Sequence, residues 1–395
     1  MPYSQSSSWT LSLPAALLLM APFDILASLA MDIYLPVVPE MPEILGTTPA
    51  VVQLTLSLYL VVLGLGQVVF GPLSDRLGRR PVLLAGGALF GVTSLLLATS
   101  SSAALFVGLR VLQALGASAA LVATFATVRD VYASRPESAV IYSLFGSMLA
   151  FVPALGPVAG SLIARGFGWK AIFVTLGILA AVATLNALAS WQETCPRAPS
   201  ARKAFRPILR SSLFWTYTTG FSAAMGAFFV FFSTAPRVLI DRAGYSQTGF
   251  SLAFATAALV MILTSRFAKR FVAAWGIPGS LARGMAMLLL GAGLLAVGEL
   301  AFTPSFWSFV VPMWIIAVGI VFASSVTANG ALQEFGHAAG TAVALYFCVQ
   351  SLIVGVIGTL LVIGLGGDTA WPLIGYCAIM ASITLLALRQ EQAKP

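Results

Sequence analysis

The chain has 395 residues, of which 59% are hydrophobic and only 9% charged, and its mean hydropathy is +0.96. Soluble domains carry about 25% charged residues, so a water-solvated globular protein is excluded and lipid must face most of the surface. The net charge of +8 would suggest a nucleic-acid partner in a soluble chain. Here the basic residues flank apolar runs in short connections, which is the pattern of membrane topology, and no nucleic-acid partner is expected.

Taken from the N-terminus, the first twenty residues hold no Lys or Arg. They lack the basic start of a secretory signal, so the first apolar run is expected to be a retained helix. Twelve apolar spans follow, at 13–37, 50–70, 81–100, 103–127, 139–163, 169–190, 213–235, 248–265, 281–300, 306–328, 341–365 and 370–388. About 20 apolar residues cross a bilayer as helix, and open strands would leave amides unsatisfied in hydrocarbon. The expected fold class is therefore an all-α polytopic membrane protein with twelve transmembrane helices.

With the N-terminus inside, sixteen Lys and Arg fall on inner loops and the tail, against Arg165, Lys170, Arg237 and Arg242 outside. This places both termini in the cytoplasm. The longest inner connection, 191–212, is rich in Pro, Arg, Lys and Ser. It reads as a basic linker lying on lipid headgroups. It divides the chain into an N-terminal six-helix half (1–190) and a C-terminal half (213–395), the layout of a two-repeat transporter with a central site. The stretch Ser265–Gly276 is expected to be the second-half counterpart of the charged connection Gly71–Arg80.

Charges at membrane depth are costly and usually face an interior cavity. Three stand out: Asp24 and Asp32 in the first span and Arg110 in the fourth. At about 1.5 Å per residue, Asp32 lies roughly 7 Å, Arg110 roughly 10 Å and Asp24 roughly 19 Å from the outer surface, so Arg110 can reach either acid. The expectation is a proton-titrating carboxylate beside an arginine, with Asp24, nearer the midplane, as the coupling or substrate residue. A fixed ion pair holding two helices together is the plainer alternative. Tyr34, Tyr59, Gln113, Phe228, Phe232 and Tyr346 are candidates to line a substrate cavity, although helix–helix hydrogen bonding would equally explain the polar ones. About half of the run Phe228–Phe232 is expected to face lipid. Cys195, Cys348 and Cys377 have no metal or redox spacing, and the single histidine, His337, falls in an inner loop. No nucleophile–base pair or metal set is apparent at membrane depth, so an intramembrane enzyme is not expected. No metal and no organic cofactor are expected either.

The segment Gly71-Pro72-Leu73-Ser74-Asp75-Arg76-Leu77-Gly78-Arg79-Arg80 closely resembles the signature between helices 2 and 3 of the major facilitator superfamily. That resemblance implies a cytoplasmic gate built from Gly71, Asp75, Arg76, Gly78 and Arg79, which latches the two halves when the transporter faces outward. Arg110-Val111-Leu112-Gln113-Ala114-Leu115-Gly116-Ala117 is similar to the family's fourth-helix pattern linked to proton transfer, with Ala114 in place of a glycine. Gly156, Pro157 and Gly160 match the antiporter motif of the fifth helix, with Ser161 replacing its last glycine.

Longer runs, among them 22–39, 121–133, 147–157, 228–240, 325–332 and 346–355, look like the chloramphenicol and florfenicol exporters of the bicyclomycin-resistance-type group. The resemblance spans nearly the whole chain. It implies a proton-coupled efflux transporter for phenicol antibiotics in the bacterial inner membrane. It further implies a proton gradient as energy source, a small-molecule drug and protons as partners within membrane lipid, and function as a monomer. Export of another, bicyclomycin-like drug or import of a small metabolite are the competing readings.

Overall fold

The computed structural model describes residues 9, 11–132, 137–195, 205–335 and 339–393. His337 and residues 196–204 of the linker lie outside them. Among the described residues there is no strand, and the chain runs as long apolar helices. In order these are α1 (Leu13–Asp32), α2 (Pro49–Leu77), α3 (Arg79–Thr99), α4 (Ala103–Tyr132), α5 (Glu137–Phe167), α6 (Trp169–Ser190) and α7 (Ser212–Pro236). A continuous run, Gln247–Ala301, is bent at Gly276 into α8 (247–275) and α9 (277–301). Last come α10 (Val311–Leu332), α11 (Ala339–Ile353, extended through Thr359–Leu365) and α12 (Trp371–Gln392). These are the twelve spans expected, and they make up an all-helical membrane bundle.

The boundaries depart from the sequence expectation in instructive ways. Helix α1 stops at Asp32 rather than continuing to 37, because Pro36 and Pro39 convert the next stretch into a 3-10 segment, Leu35–Glu40. Proline lacks the amide that would continue the α-helical ladder. Helix α2 spans 29 residues, about 44 Å at 1.5 Å per residue, and overshoots the roughly 30 Å hydrocarbon.

The charged connection is consequently not a loop through most of its length. Gly71 to Leu77 form the last turns of α2, and Gly71 is helical rather than part of a turn. Only Gly78 leaves the helix, with φ 101° and ψ 156°. The stretch Ser265–Gly276 is corrected in the same sense: it is helical up to Gly276, which alone turns, with φ 68° and ψ 178°. Both corners need a left-handed φ that side chains with a Cβ resist, so each pair of helices is joined by a single glycine.

Helix α7 lies in the centre of the bundle. Phe229, Val230, Phe231 and Phe232 are all buried and Phe228 is partly buried, so the expected lipid-facing half of this run is not seen. Its rings pack on α8 instead, with Phe231 stacked on Phe254 at 5.2 Å between centroids.

Helices before residue 191 meet those after residue 205 mainly at one end of the bundle. There Glu40 accepts from Gln247 Nε2 (2.5 Å), Gln53 Nε2 donates to Ser233 Oγ (3.1 Å), and Arg165 reaches Thr248 Oγ1 (3.3 Å). Ser251 Oγ donates to the Pro157 carbonyl (2.9 Å), and Thr359 bonds Ser57. Deeper in, Gly64 lies so close to Ser351 that a Cβ would collide with it, and Gly355 is similarly tight against Val61. This seam stops about midway along α2. The other end, which carries Gly78 and Gly276, has no such bond across the two groups of helices among the described residues.

Candidate functional site

Arg110 is completely buried in α4. Its Nη1 donates to Gln113 Oε1 (2.6 Å) and to the Ala30 carbonyl (3.1 Å), and its Nε points to the Thr55 carbonyl (3.4 Å). The guanidinium lies over Tyr59 at 4.5 Å and Tyr34 at 5.4 Å from the ring centroids. Such faces attract a cation most strongly when it is stripped of water. Its Nη2 has no hydrogen-bond partner. Arg110 therefore sits in a cage of two aromatic faces, two carbonyls and one amide, held between α1, α2 and α4.

Gln113, placed one turn on, is itself fixed by its Nε2 donating to Ser94 Oγ (2.8 Å) on α3. Ser94 then donates to the Phe90 carbonyl (2.6 Å). Tyr59 Oη donates to the Ala27 carbonyl (2.8 Å), pinning α2 to α1. Thus Tyr34, Tyr59 and Gln113 are brought together, but around the arginine and fully buried.

Asp24 is also buried, and both carboxylate oxygens lack hydrogen-bond partners. The expected Asp24–Arg110 pair is not formed here: among the described residues no carboxylate lies within ion-pair distance of Arg110. The cation's neighbours are π faces and carbonyls instead. Asp32 is buried where α1 crosses α5. A Cβ on Gly156 would stand 2.7 Å from the Asp32 Cβ, and one on Gly160 would strike the Ile33 carbonyl. These two glycines let α5 press against the end of α1, while the adjacent Pro157 offers its carbonyl to Ser251 of α8. Far from these groups, Tyr346 of α11 donates to Thr327 Oγ1 (2.9 Å) and stacks on Phe221 at 4.8 Å. Phe228 and Phe232 pack around Phe254.

At the opposite end of the first six helices, Arg79 is buried and organises a second constellation. Its Nη1 contacts Asp75 Oδ1 at 2.7 Å and Ser74 Oγ at 2.7 Å, and its Nε meets Asp130 Oδ2 at 2.8 Å. Arg76 is exposed. Two members of this cluster escaped the sequence reading. Asp130 ends α4 in the run Arg129-Asp130-Val131-Tyr132, where an acid beside a basic helix end was the available signal. Glu193 sits at the start of the linker, hidden in a stretch whose overall charge is basic.

Glu193 acts as a remote cap. Its carboxylate accepts from the backbone amides of Arg79 (2.8 Å), Arg80 (3.1 Å), Thr194 (3.0 Å) and Cys195 (2.9 Å). The first two are open amides at the N-terminus of α3, whose own cap residue, Gly78, has no side chain to offer. A Cβ on Gly78 would come within 2.5 Å of Glu193 Oε2. The glycine is therefore required twice, for its φ and for room. Replacing Glu193 with Ala should lower stability by about 1–2 kcal/mol, the cost of losing a cap. Thermal unfolding of purified wild-type and variant protein, recorded in the same detergent, measures this.

A cavity of about 230 Å³ opens at the seam end, between the start of α2, the end of α7 and the end of α11. Gln53, Ser233, Arg237 and Asp368 supply its polar lining.

Comparison with known proteins places these features in context. Residues 23–359 match the family model described as Major Facilitator Superfamily. A "Chloramphenicol resistance protein" of Pseudomonas aeruginosa is 51% identical over 384 residues, covering 97% of this chain and 92% of that protein. The "Multidrug resistance protein MdtL" of Escherichia coli O81 (strain ED1a) is 29% identical over 364 residues, with 90% of each chain covered. Among solved structures, a POT family transporter in complex with 5-aminolevulinic acid superposes with a TM-score of 0.70 at 13% identity. It covers 96% of this chain and 94% of its own, a likeness of fold alone. With twelve apolar helices and a family match across most of its length, this chain belongs to the major facilitator superfamily.

Proposed function

We propose that this protein is a proton-coupled exporter of phenicol antibiotics, chloramphenicol and florfenicol among them, working in the bacterial inner membrane with both termini cytoplasmic. One observation carries the reading. A chain 51% identical to a protein named for chloramphenicol resistance buries an unpartnered acid, Asp24, and an arginine, Arg110, at membrane depth.

In this reading the two groups of six helices are the rocking halves. The seam from Glu40 to Thr359 closes the outer side, so the conformation faces the cytoplasm. Drug enters between the halves from the Gly78 end. A phenicol is uncharged and aromatic and bears hydroxyl groups, so it needs polar contacts at one end and apolar ones at the other. Asp24 is the group that exchanges protons and meets the drug. Arg110 is held ready by Gln113, Tyr34 and Tyr59 and attracts Asp24 when that carboxylate is charged. Asp32, against Gly156, ties the same chemistry to the movement of α5. When the halves close on the cytoplasmic side, the Asp75–Arg79–Asp130 cluster forms the rim that meets the other half. The proton gradient drives the cycle, no organic cofactor takes part, and one chain suffices.

The test is a susceptibility panel in an efflux-deficient host, with chloramphenicol, florfenicol, bicyclomycin and a cationic dye, alongside accumulation of labelled chloramphenicol. Protection against phenicols with reduced accumulation is expected, and a protonophore should abolish it. Raised accumulation would point to import. Protection against neither phenicol, with the protein inserted, would overturn the substrate.

A further inference from the structure

The two single-glycine corners differ in how their charges are satisfied. At Gly78, the buried Arg79 is matched by Asp75 and Asp130, and Glu193 accepts from the α3 amides. At Gly276 there is no such answer. Arg266, Lys269, Arg270 and Arg283 flank that corner, and no Asp or Glu occurs between Asp241 and Glu299. All four cations are exposed. Among the described residues none of them is in an ion pair.

The apolar side of this corner is equally distinctive. Trp275, Phe271 and Phe322 form a cluster with centroids 5.0–5.8 Å apart, and Trp275 and Phe322 belong to a small core separate from the main one. Arg283, arriving from α9, lies over Trp275 at 4.8 Å. Phe267 and Phe271 remain 64% and 41% exposed on the flank of α8. Helix α8 runs from 247 to 275, about 44 Å at 1.5 Å per residue, against roughly 30 Å of hydrocarbon. Its last turns therefore stand at headgroup level, with the exposed rings just where acyl chains begin. Aromatic residues favour that interface, and clusters of Lys and Arg beside a span attract anionic lipid.

We propose that the α8–α9 corner is a binding site for an anionic phospholipid, phosphatidylglycerol being the occupant it fits. The phosphate lies among Arg266, Lys269, Arg270 and Arg283, and the acyl chains lie along Phe267 and Phe271. The lipid supplies the negative charge that Asp75, Asp130 and Glu193 supply at the Gly78 corner. The exposed rings select a chain-bearing lipid over a soluble phosphate.

The experiment is native mass spectrometry of the delipidated full-length transporter in detergent, titrated with phosphatidylglycerol, phosphatidylcholine or glycerol phosphate. Wild type should retain phosphatidylglycerol in preference to the other two. Each Lys or Arg near an anionic headgroup contributes about 1 kcal/mol, so Arg266→Gln/Lys269→Gln/Arg270→Gln should weaken binding by about a hundredfold. A control that removes the same charge elsewhere, Arg165→Gln/Lys170→Gln/Arg389→Gln, should bind as wild type does. If the first variant aggregates, Arg270→Glu alone should give a drop of about tenfold. Equal binding of phosphatidylglycerol and phosphatidylcholine by wild type, equal binding of glycerol phosphate, undiminished binding by the corner variants, or an equal loss in the control would each overturn the site.

Discussion

Asp24→Asn is expected to abolish phenicol export while leaving the protein in the membrane at wild-type abundance. Both carboxylate oxygens are buried without a partner. A charge withheld from water and left unpaired is expensive, and the neutral amide of the same shape relieves that expense. The variant should therefore unfold no earlier than wild type. In the proposed cycle the acid does what the amide cannot, namely take up and release a proton. Efflux of labelled chloramphenicol from cells, together with thermal unfolding of the purified variant, separates the two properties. Export at the wild-type rate would remove Asp24 from the mechanism.

The second large effect falls on Arg79. Its guanidinium joins Asp75 at the end of α2 to Asp130 at the end of α4, and the Arg79 and Asp130 side chains are only 3% and 6% exposed. Arg79→Ala leaves Asp130 buried, with Arg129 at 3.5 Å as its remaining cation, and Arg129 is itself largely exposed. Removing one member of a buried pair costs about 3–5 kcal/mol. The expected result is a strongly lowered unfolding temperature and loss of resistance. Arg79→Lys should rescue only part of it, because one ammonium cannot serve Asp75, Ser74 and Asp130 with the geometry of a planar fork. Arg79→Lys matching wild type in both stability and resistance would mean that charge alone suffices.

Most of the fold was legible because lipid imposes a length and a composition on every span. The corner glycines Gly78 and Gly276 were visible as punctuation, but not the fact that helix continues right up to each of them. Helices overshoot the hydrocarbon wherever charged residues can be solvated beyond it, and hydropathy is blind to that extension. The Phe228–Phe232 run was misplaced for a related reason: apolar composition looks the same against lipid and against another helix. Arg110 and Asp24 stood out because a charge in an apolar run needs a reason. The company they keep did not, since Ser94, the Ala30 carbonyl and the Thr55 carbonyl come together only through packing. Glu193 was hidden by its basic surroundings. What makes it functional is the pair of open amides at Arg79 and Arg80, which no residue type announces.

The seam that joins the two groups of helices has a kinetic consequence. Among the described residues no ion pair crosses it. Three of its bonds, Gln53–Ser233, Ser57–Thr359 and Ser251 to the Pro157 carbonyl, are between uncharged groups. A neutral hydrogen bond contributes a net of about 0.5–1.5 kcal/mol, because water takes its place on opening. Three of them sum to about 1.5–4.5 kcal/mol, on the scale of the roughly 2.3 kcal/mol that one charge gains in crossing 100 mV. A closure of this kind can be undone thousands of times without rehydrating a buried ion at each turn. The two charged side chains of the seam, Glu40 and Arg165, bond uncharged partners at its exposed rim, so in the proposed cycle the opening rate should depend only weakly on ionic strength.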